Sequence, residues 1–191
     1  NGICSLNEGV IRLTMSCVMD IDNSGKVVNY DIFQSYIKSQ KKMTYECVND
    51  IIMRDIVAPG YEEYIDKLKG MNELAHILQK EITNRGYINF DLDEAEVIQD
   101  EDGKAIDIVR REREDGEKLI ESFMIVANET VASHIYNMEL PFVYRVHGKP
   151  NGEKIDDFVN LVKIMGYDLK TKTLDLSPKS MQKLLTELGD I

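Results

Sequence analysis

Cysteine is scarce and unpaired in this sequence: Cys4, Cys17 and Cys47 are odd in number, form no CxxC pair and have no histidine at ligand spacing. Neither a disulfide framework nor a cysteine-based zinc site is suggested, and a reducing, cytosolic (cytoplasmic) setting is the default expectation. Positive charge is also short, with 23 Lys and Arg against 34 Asp and Glu and a formal net charge of -11. That balance argues against broad, non-specific attraction to nucleic acid or to an anionic membrane, so any bound polyanion needs a local basic site. No apolar run approaches the roughly 20 residues that span a bilayer, and the N-terminus lacks the charged-then-apolar build of a signal peptide. There is no P-loop and no GxGxxG, and the three histidines offer no Ser/His/Asp arrangement that spacing could support. What is present is a chain of 191 residues, 43% of them hydrophobic, expected to be soluble and long enough to bury a core. It fits one domain or one large piece of something bigger. Asn1-Gly2 runs almost directly into a strand-like segment with no initiator Met, as expected of an excised piece.

Hydrophobic periodicity supplies the elements. Val10 to Ile21 alternates as a strand with Ile11, Leu13, Met15 and Cys17 on one face. Asp22-Asn23-Ser24-Gly25 has turn chemistry, and Lys26 to Tyr36 reads as the returning strand. Thr44 is placed to cap a helix that runs through about Arg54, with Glu46 in its first turn. Tyr61 to Thr83 has helical spacing, with a bend or break expected near Gly70. Gly86 to Leu92 alternates again, and Asp102-Gly103 joins Glu94 to Ile98 and Ala105 to Val109 as a second hairpin. The longest helix covers about Asp115 to Met138, followed by a short strand, Phe142 to Val146. Helices are also expected over Lys154 to Met165, striped by Ile155, Phe158, Val159 and Val162, and over Lys179 to Leu188 after the Ser177-Pro178 cap. The fold class is α/β, mixed α+β: antiparallel hairpins and a mixed sheet packed against a central apolar helix.

Candidate sites come from polar residues inside apolar runs. Apolar side chains occupy nearly every angle of the longest helix between Phe123 and Ala127, so its middle is expected to be enclosed. Glu121 and Asn128 lie seven apart and project along one line with Ile125 and Ala132. A buried carboxylate or amide needs a hydrogen-bond partner, and periodicity alone favours a structural partner over a ligand. Strand alternation places Tyr144 and Val146 on one face and Arg145 and His147 on the other. The two potential cations could contact a phosphate, although an ion pair for Arg145 and a cap or packing role for His147 are the plainer readings. Asp91-Leu92-Asp93-Glu94 resembles a metal site only loosely, because alternation splits its acids between two faces; a solvated acidic edge explains it better.

Taken in order, Ser5-Leu6, Arg12-Leu13, Lys42-Met43-Thr44-Tyr45, Phe90-Asp91-Leu92-Asp93-Glu94-Ala95, Leu119-Ile120-Glu121-Ser122-Phe123-Met124, Ala127-Asn128-Glu129 and Tyr144-Arg145-Val146-His147 resemble the ribonuclease II/ribonuclease R catalytic (RNB) domain. The bacterial ribonuclease R branch is the closest in look. The resemblance implies an incomplete RNB domain over 1–191 from a 3′-to-5′ exoribonuclease that threads single-stranded RNA into a channel and releases nucleoside monophosphates. It also implies Mg²⁺ in the parent enzyme, held by an aspartate cluster that precedes the Ser5-Leu6 motif and so falls outside this segment. The family's arginine motif and its cold-shock and S1 domains are likewise expected elsewhere. No catalytic residue, metal ligand or bound cofactor is therefore expected here, and the isolated segment is expected to be inactive. By resemblance, Tyr45 approaches the ribose or base of bound RNA and Glu121 favours RNA over DNA, since a 2′-hydroxyl can donate to a carboxylate and deoxyribose cannot. The family often has two acids where this chain has Glu121-Ser122. Arg145 and His147 are expected along the RNA path, whereas Asn128 keeps its structural reading. No membrane partner and no DNA preference are expected.

A second reading is a stand-alone, catalytically dead RNA-binding or scaffold module, and a third is a domain without an RNA role. Coding sequence upstream of Asn1 separates the first two: closely spaced aspartates support the enzyme, an immediate start codon the dead module.

Overall fold

Two five-residue stretches of the same plan, Asp22-Asn23-Ser24-Gly25-Lys26 and Asp100-Glu101-Asp102-Gly103-Lys104, each end one strand and start the next. In both, the leading carboxylate accepts backbone N–H bonds from two and four residues on. Ser24 and Lys26 donate to Asp22 at 2.8 and 3.0 Å, and Asp102 and Lys104 donate to Asp100 at 3.0 and 2.9 Å. Gly25 and Gly103 take φ values of 86° and 79°, the left-handed region where a side chain would strain the backbone. The products are two antiparallel ribbons: β1 (Ile11–Ile21) with β2 (Val27–Lys38), and β3 (Glu94–Gln99) with β4 (Ala105–Arg111). Both expected hairpins are present, each with a register irregularity beside its turn.

The computed structural model describes residues 2–87, 94–111, 113–146, 151–166 and 180–181. Within them lie four α-helices of more than one turn: α1 (Tyr45–Arg54), α2 (Ile65–Arg85), α3 (Asp115–Asn137) and α4 (Gly152–Ile164). The fold is mixed α/β with antiparallel strand pairs, as expected. The chain divides into two compact units, one of Asn1–Ile82 with Phe90–Leu140 and one of Thr83–Asn89 with Pro141–Ile191.

In the first unit, helix α1 starts where the sequence places it: Thr44 has extended backbone, and its hydroxyl accepts the Cys47 N–H at 3.4 Å. Asp55, in the left-handed conformation, ends the helix. Val48 and Ile51 of α1 pack with Tyr61 and Leu68, and Met43, Ile52 and Ile65 close around them. Farther along α2, Ala75, Leu78 and Ile82 are buried, as are Leu119 and Val126 of α3. Each fully buried Leu or Ile contributes roughly 1.5–3 kcal/mol, so these three helices carry the core. Helix α2 continues through Gly70 without the break that glycine could have brought; a lone glycine weakens a helix but still makes its hydrogen bonds.

The first hairpin meets α3 at its turn-proximal end. The Thr130 hydroxyl donates to the Val126 carbonyl at 2.8 Å and passes 3.4 Å from the Met19 sulfur. Tyr30 meets His134 edge to face, its hydroxyl 3.3 Å from Nδ1. Burial raises the pKa of the Cys17 thiol, which lies on the same strand face as Met19. The expected apolar face of β1 is thus real, but only part of it is covered: Leu13 is 91% and Met15 68% exposed.

Helix α3 departs from expectation. Its buried residues Gly116, Leu119, Ser122, Val126 and Thr130 form one stripe, while Met124 is 59% exposed, so the described residues do not enclose the middle of the helix. An apolar residue at every angle does not bury a helix unless something covers each side.

In the second unit, α4 is capped by Asn151, whose side chain accepts the Glu153 N–H at 2.9 Å, and Val162 of the expected stripe is fully buried. Phe142 to Val146 is not a strand: the segment is irregular and exposed, with the Phe142 and Tyr144 rings edge to face at 5.4 Å. It has strand-like composition but no strand partner among the described residues, and alternation without a partner makes no ladder. The expected strand through Gly86 to Leu92 and the helix from Lys179 to Leu188 fall largely outside the described residues.

Candidate functional site

Capping by Thr44 makes Tyr45 the first residue of α1, and the burial of Val48 and Ile51 one turn later fixes the direction in which that helix points. Tyr45 is left 45% exposed and lines a cleft of about 460 Å³. Its lining comes from three places: Met43, Thr44, Tyr45 and Val48 around the start of α1; Tyr64, Lys67, Leu68 and Met71 before and along α2; and Gly116, Leu119 and Ile120 of α3. All belong to the first compact unit.

The chemistry of the lining is specific in kind. Two phenol rings and several aliphatic and thioether groups offer flat apolar surface, and among the described residues Lys67 is the single cation in the lining, its ammonium 5.9 Å from the centre of the Tyr64 ring. Burial, and next the neighbouring Glu63 carboxylate, raise the Tyr64 phenol above its ordinary pKa, so it stays neutral at physiological pH. Among the described residues, no carboxylate, histidine or thiol lines the cleft. Such a surface can stack a planar ring or a sugar and neutralise one phosphate.

Glu121 follows Ile120 on α3 but does not itself line the cleft. Its side chain is 40% exposed, and its Oε2 lies 3.6 Å from Arg113 Nη1. Glu121 is thus half-buried and ion-paired. Asn128, seven residues on, is exposed, and Ile125 and Ala132 are half-covered. The line predicted as buried is in fact the flank of the buried stripe. Arg145 is exposed and belongs to the second unit, and His147 lies outside the described residues. Tyr45 and the α3 segment carrying Glu121 are therefore the two sequence-nominated positions that one unit holds together.

Sequence reasoning missed Lys67 and Asn49. Asn49 is only 2% exposed; its Oδ1 accepts the Gly116 N–H at 2.7 Å, and its Nδ2 donates to Glu117 Oε2 at 3.2 Å. The signal was present: Tyr45, Val48, Asn49 and Ile52 hold the positions of a helical stripe, and a polar residue in that register needs a partner. Lys67 carried no such signal, since a lysine on a helix is ordinarily a solvated one.

Among the described residues, no group of three or more His, Cys, Asp or Glu could hold a metal ion. These residues do not fit the acidic ligand set that Mg²⁺ would need. Nor is any described helix long and apolar enough to cross a membrane.

Comparison with known proteins agrees over the whole length. Ribonuclease R of Thermotoga maritima is 46% identical over 191 residues, which is 100% of this chain and 27% of that protein. Ribonuclease R 1 of Lactococcus lactis is 42% identical over 98% of this chain and 23% of its own length. The chain thus spans about a quarter of the curated relatives it matches. The structure of Mycoplasma genitalium RNase R in complex with ribose methylated single-stranded RNA superposes with a TM-score of 0.92 at 28% identity, over 100% of this chain and 30% of that one. The same enzyme in complex with double-stranded RNA gives 0.91 over 98% of this chain and 34% of that one. Residues 1–190 match the profile of the RNB domain, and with relatives of this identity along its full length the chain belongs to the RNB domain family.

Proposed function

We propose that this chain is a segment of a ribonuclease R-like 3′-to-5′ exoribonuclease that hydrolyses single-stranded RNA to nucleoside monophosphates, and that it supplies part of the RNA path. The observation that carries this reading is the 0.92 TM-score, over the whole chain, to an RNase R that holds single-stranded RNA. The cleft supports it, because an exposed tyrosine and a lysine in its lining suit a nucleotide better than a purely apolar ligand.

In this reading Tyr45 lies against the ribose or base, and Glu121, shifted from Arg113, accepts a hydrogen bond from the 2′-hydroxyl. Arg145 and His147 contact the RNA path through phosphate oxygens. The parent requires Mg²⁺, with ligands outside this segment, and works in the cytoplasm. The isolated segment binds RNA weakly and does not cleave it.

Two measurements test the reading. Anisotropy of a labelled riboadenylate oligomer should report saturable binding that weakens roughly 2- to 10-fold in Glu121→Ala, the scale of one hydrogen bond. Equal binding by wild type and Glu121→Ala would remove the role given to Glu121. Incubation of the 191-residue chain with the oligomer and Mg²⁺ should leave the RNA intact; release of mononucleotides would overturn the claim of inactivity.

A further inference from the structure

Tyr45 lines the cleft from α1 and Leu119 and Ile120 line it from α3, next to Glu121, so whatever sets α1 against α3 helps to shape it. The first turn of α3 has four N–H groups without an intrahelical partner, and its own cap residue, Glu114, makes no side-chain bond to them. One of the four, that of Gly116, is satisfied from another helix by Asn49 at 2.7 Å. The other end of the same amide donates to Glu117, so both ends of a side chain only 2% exposed are used. Gly116 permits this approach, because a Cβ there would lie 2.7 Å from Asn49 Oδ1. Tyr45 stands one turn before Asn49 on α1, and Leu119 and Ile120 stand one turn after Gly116 on α3; all three line the cleft.

We propose that Asn49 is a positioning residue for RNA selection: its buried amide locks α1 to the first turn of α3 and so fixes Tyr45 relative to the segment that carries Glu121. The inference rests on the RNA reading above. A second tie joins the same helices, Arg54 to Glu114, but it is partly exposed and lies at the far end of α1 from Tyr45. It serves as the control for stability without positioning.

The test is anisotropy on the 191-residue chain with a short labelled riboadenylate oligomer and its deoxy counterpart, alongside circular dichroism melts. Wild type should prefer the ribo-oligomer. Asn49→Ala should lower that ribo-over-deoxy ratio by roughly fivefold, the scale of one misplaced hydrogen bond. Asn49→Asp keeps the acceptor for Gly116 but sets a second carboxylate against Glu117; it should lower the ratio too, and it decides the matter if Asn49→Ala fails to fold. Arg54→Ala should lower the melting temperature and leave the ratio unchanged. Folded Asn49 variants with the wild-type ratio, or an Arg54→Ala ratio that falls as far, would overturn the proposal. If Glu121→Ala abolishes the preference while the Asn49 variants retain it, this inference alone fails. A wild type with no preference, unchanged by Glu121→Ala, fails the RNA reading and this inference with it.

Discussion

Gly116 is an unremarkable glycine in a helix, and on propensity alone an alanine there would help by about 1 kcal/mol. Its surroundings reverse the sign, since the added methyl would press on the amide that joins α1 to α3. Gly116→Ala should therefore lower stability by about 1–3 kcal/mol in chemical denaturation, in the range of core overpacking; a neutral or stabilising result would show that Asn49 can move aside at no cost. Thr44 is the opposite case, legible from sequence as a cap and found as one. Thr44→Ala should cost about 1 kcal/mol and fray the turn that presents Tyr45, visible as faster amide exchange at Cys47. Residues whose role is local were readable in this way. Asn49 and Glu121 were readable only in part, because what they touch comes from 68 residues away in one case and from a flank that periodicity had placed in the core in the other.

Elements divide along the same line. The hairpins and the four described helices follow from alternation, 3.6-residue spacing and the Asp-x-x-Gly turns, all properties of short segments. Phe142 to Val146 failed as a strand because pairing depends on a neighbour that no pattern in the segment itself can report. The covered and open faces of otherwise similar runs yield a contrast. Leu119→Ala, at a position 2% exposed, should cost about 2–5 kcal/mol. Leu13→Ser, at a position 91% exposed, should stay within about 0.5 kcal/mol of wild type in the same denaturation experiment. Equal costs would mean that the open end of β1 is covered in solution. The first hairpin also predicts an acid response. The Ser24 hydroxyl first, then the Lys26 N–H, hold the Asp22 carboxyl below its ordinary pKa. A depressed folded-state pKa means that the turn's stabilisation is present above the ordinary aspartate range and is lost as pH falls through the lower folded value. Asp22→Asn should flatten that part of the acid unfolding curve; an unchanged curve would dissociate the turn from acid stability.

At the scale of the molecule, the charge of -11 and the RNA reading have to be reconciled. In the proposed reading few phosphates are met, by Lys67, which lines the cleft, and by Arg145 and His147, proposed along the path. Binding of a riboadenylate oligomer should then depend only weakly on salt, with log K falling at a slope of about -1 to -2 against log salt, since each phosphate contact on a single strand contributes about -0.7. A much steeper slope would point to a basic surface other than this cleft. The family was legible because ordered motifs run through most of the chain, and the structure and relatives agree with it end to end. The cleft itself was not legible, because it is assembled from the starts of α1 and α3 and one wall of α2.

Titration of the ¹⁵N-labelled chain with a short riboadenylate oligomer, followed by amide chemical shifts, tests the central claim most directly. Shifts should concentrate at Tyr45, Lys67, Ile120 and Glu121, with smaller changes at Asn49 and Gly116. Shifts confined to the open hairpin face around Leu13, Met15 and Tyr36, or none at the cleft at saturating oligomer, would contradict it.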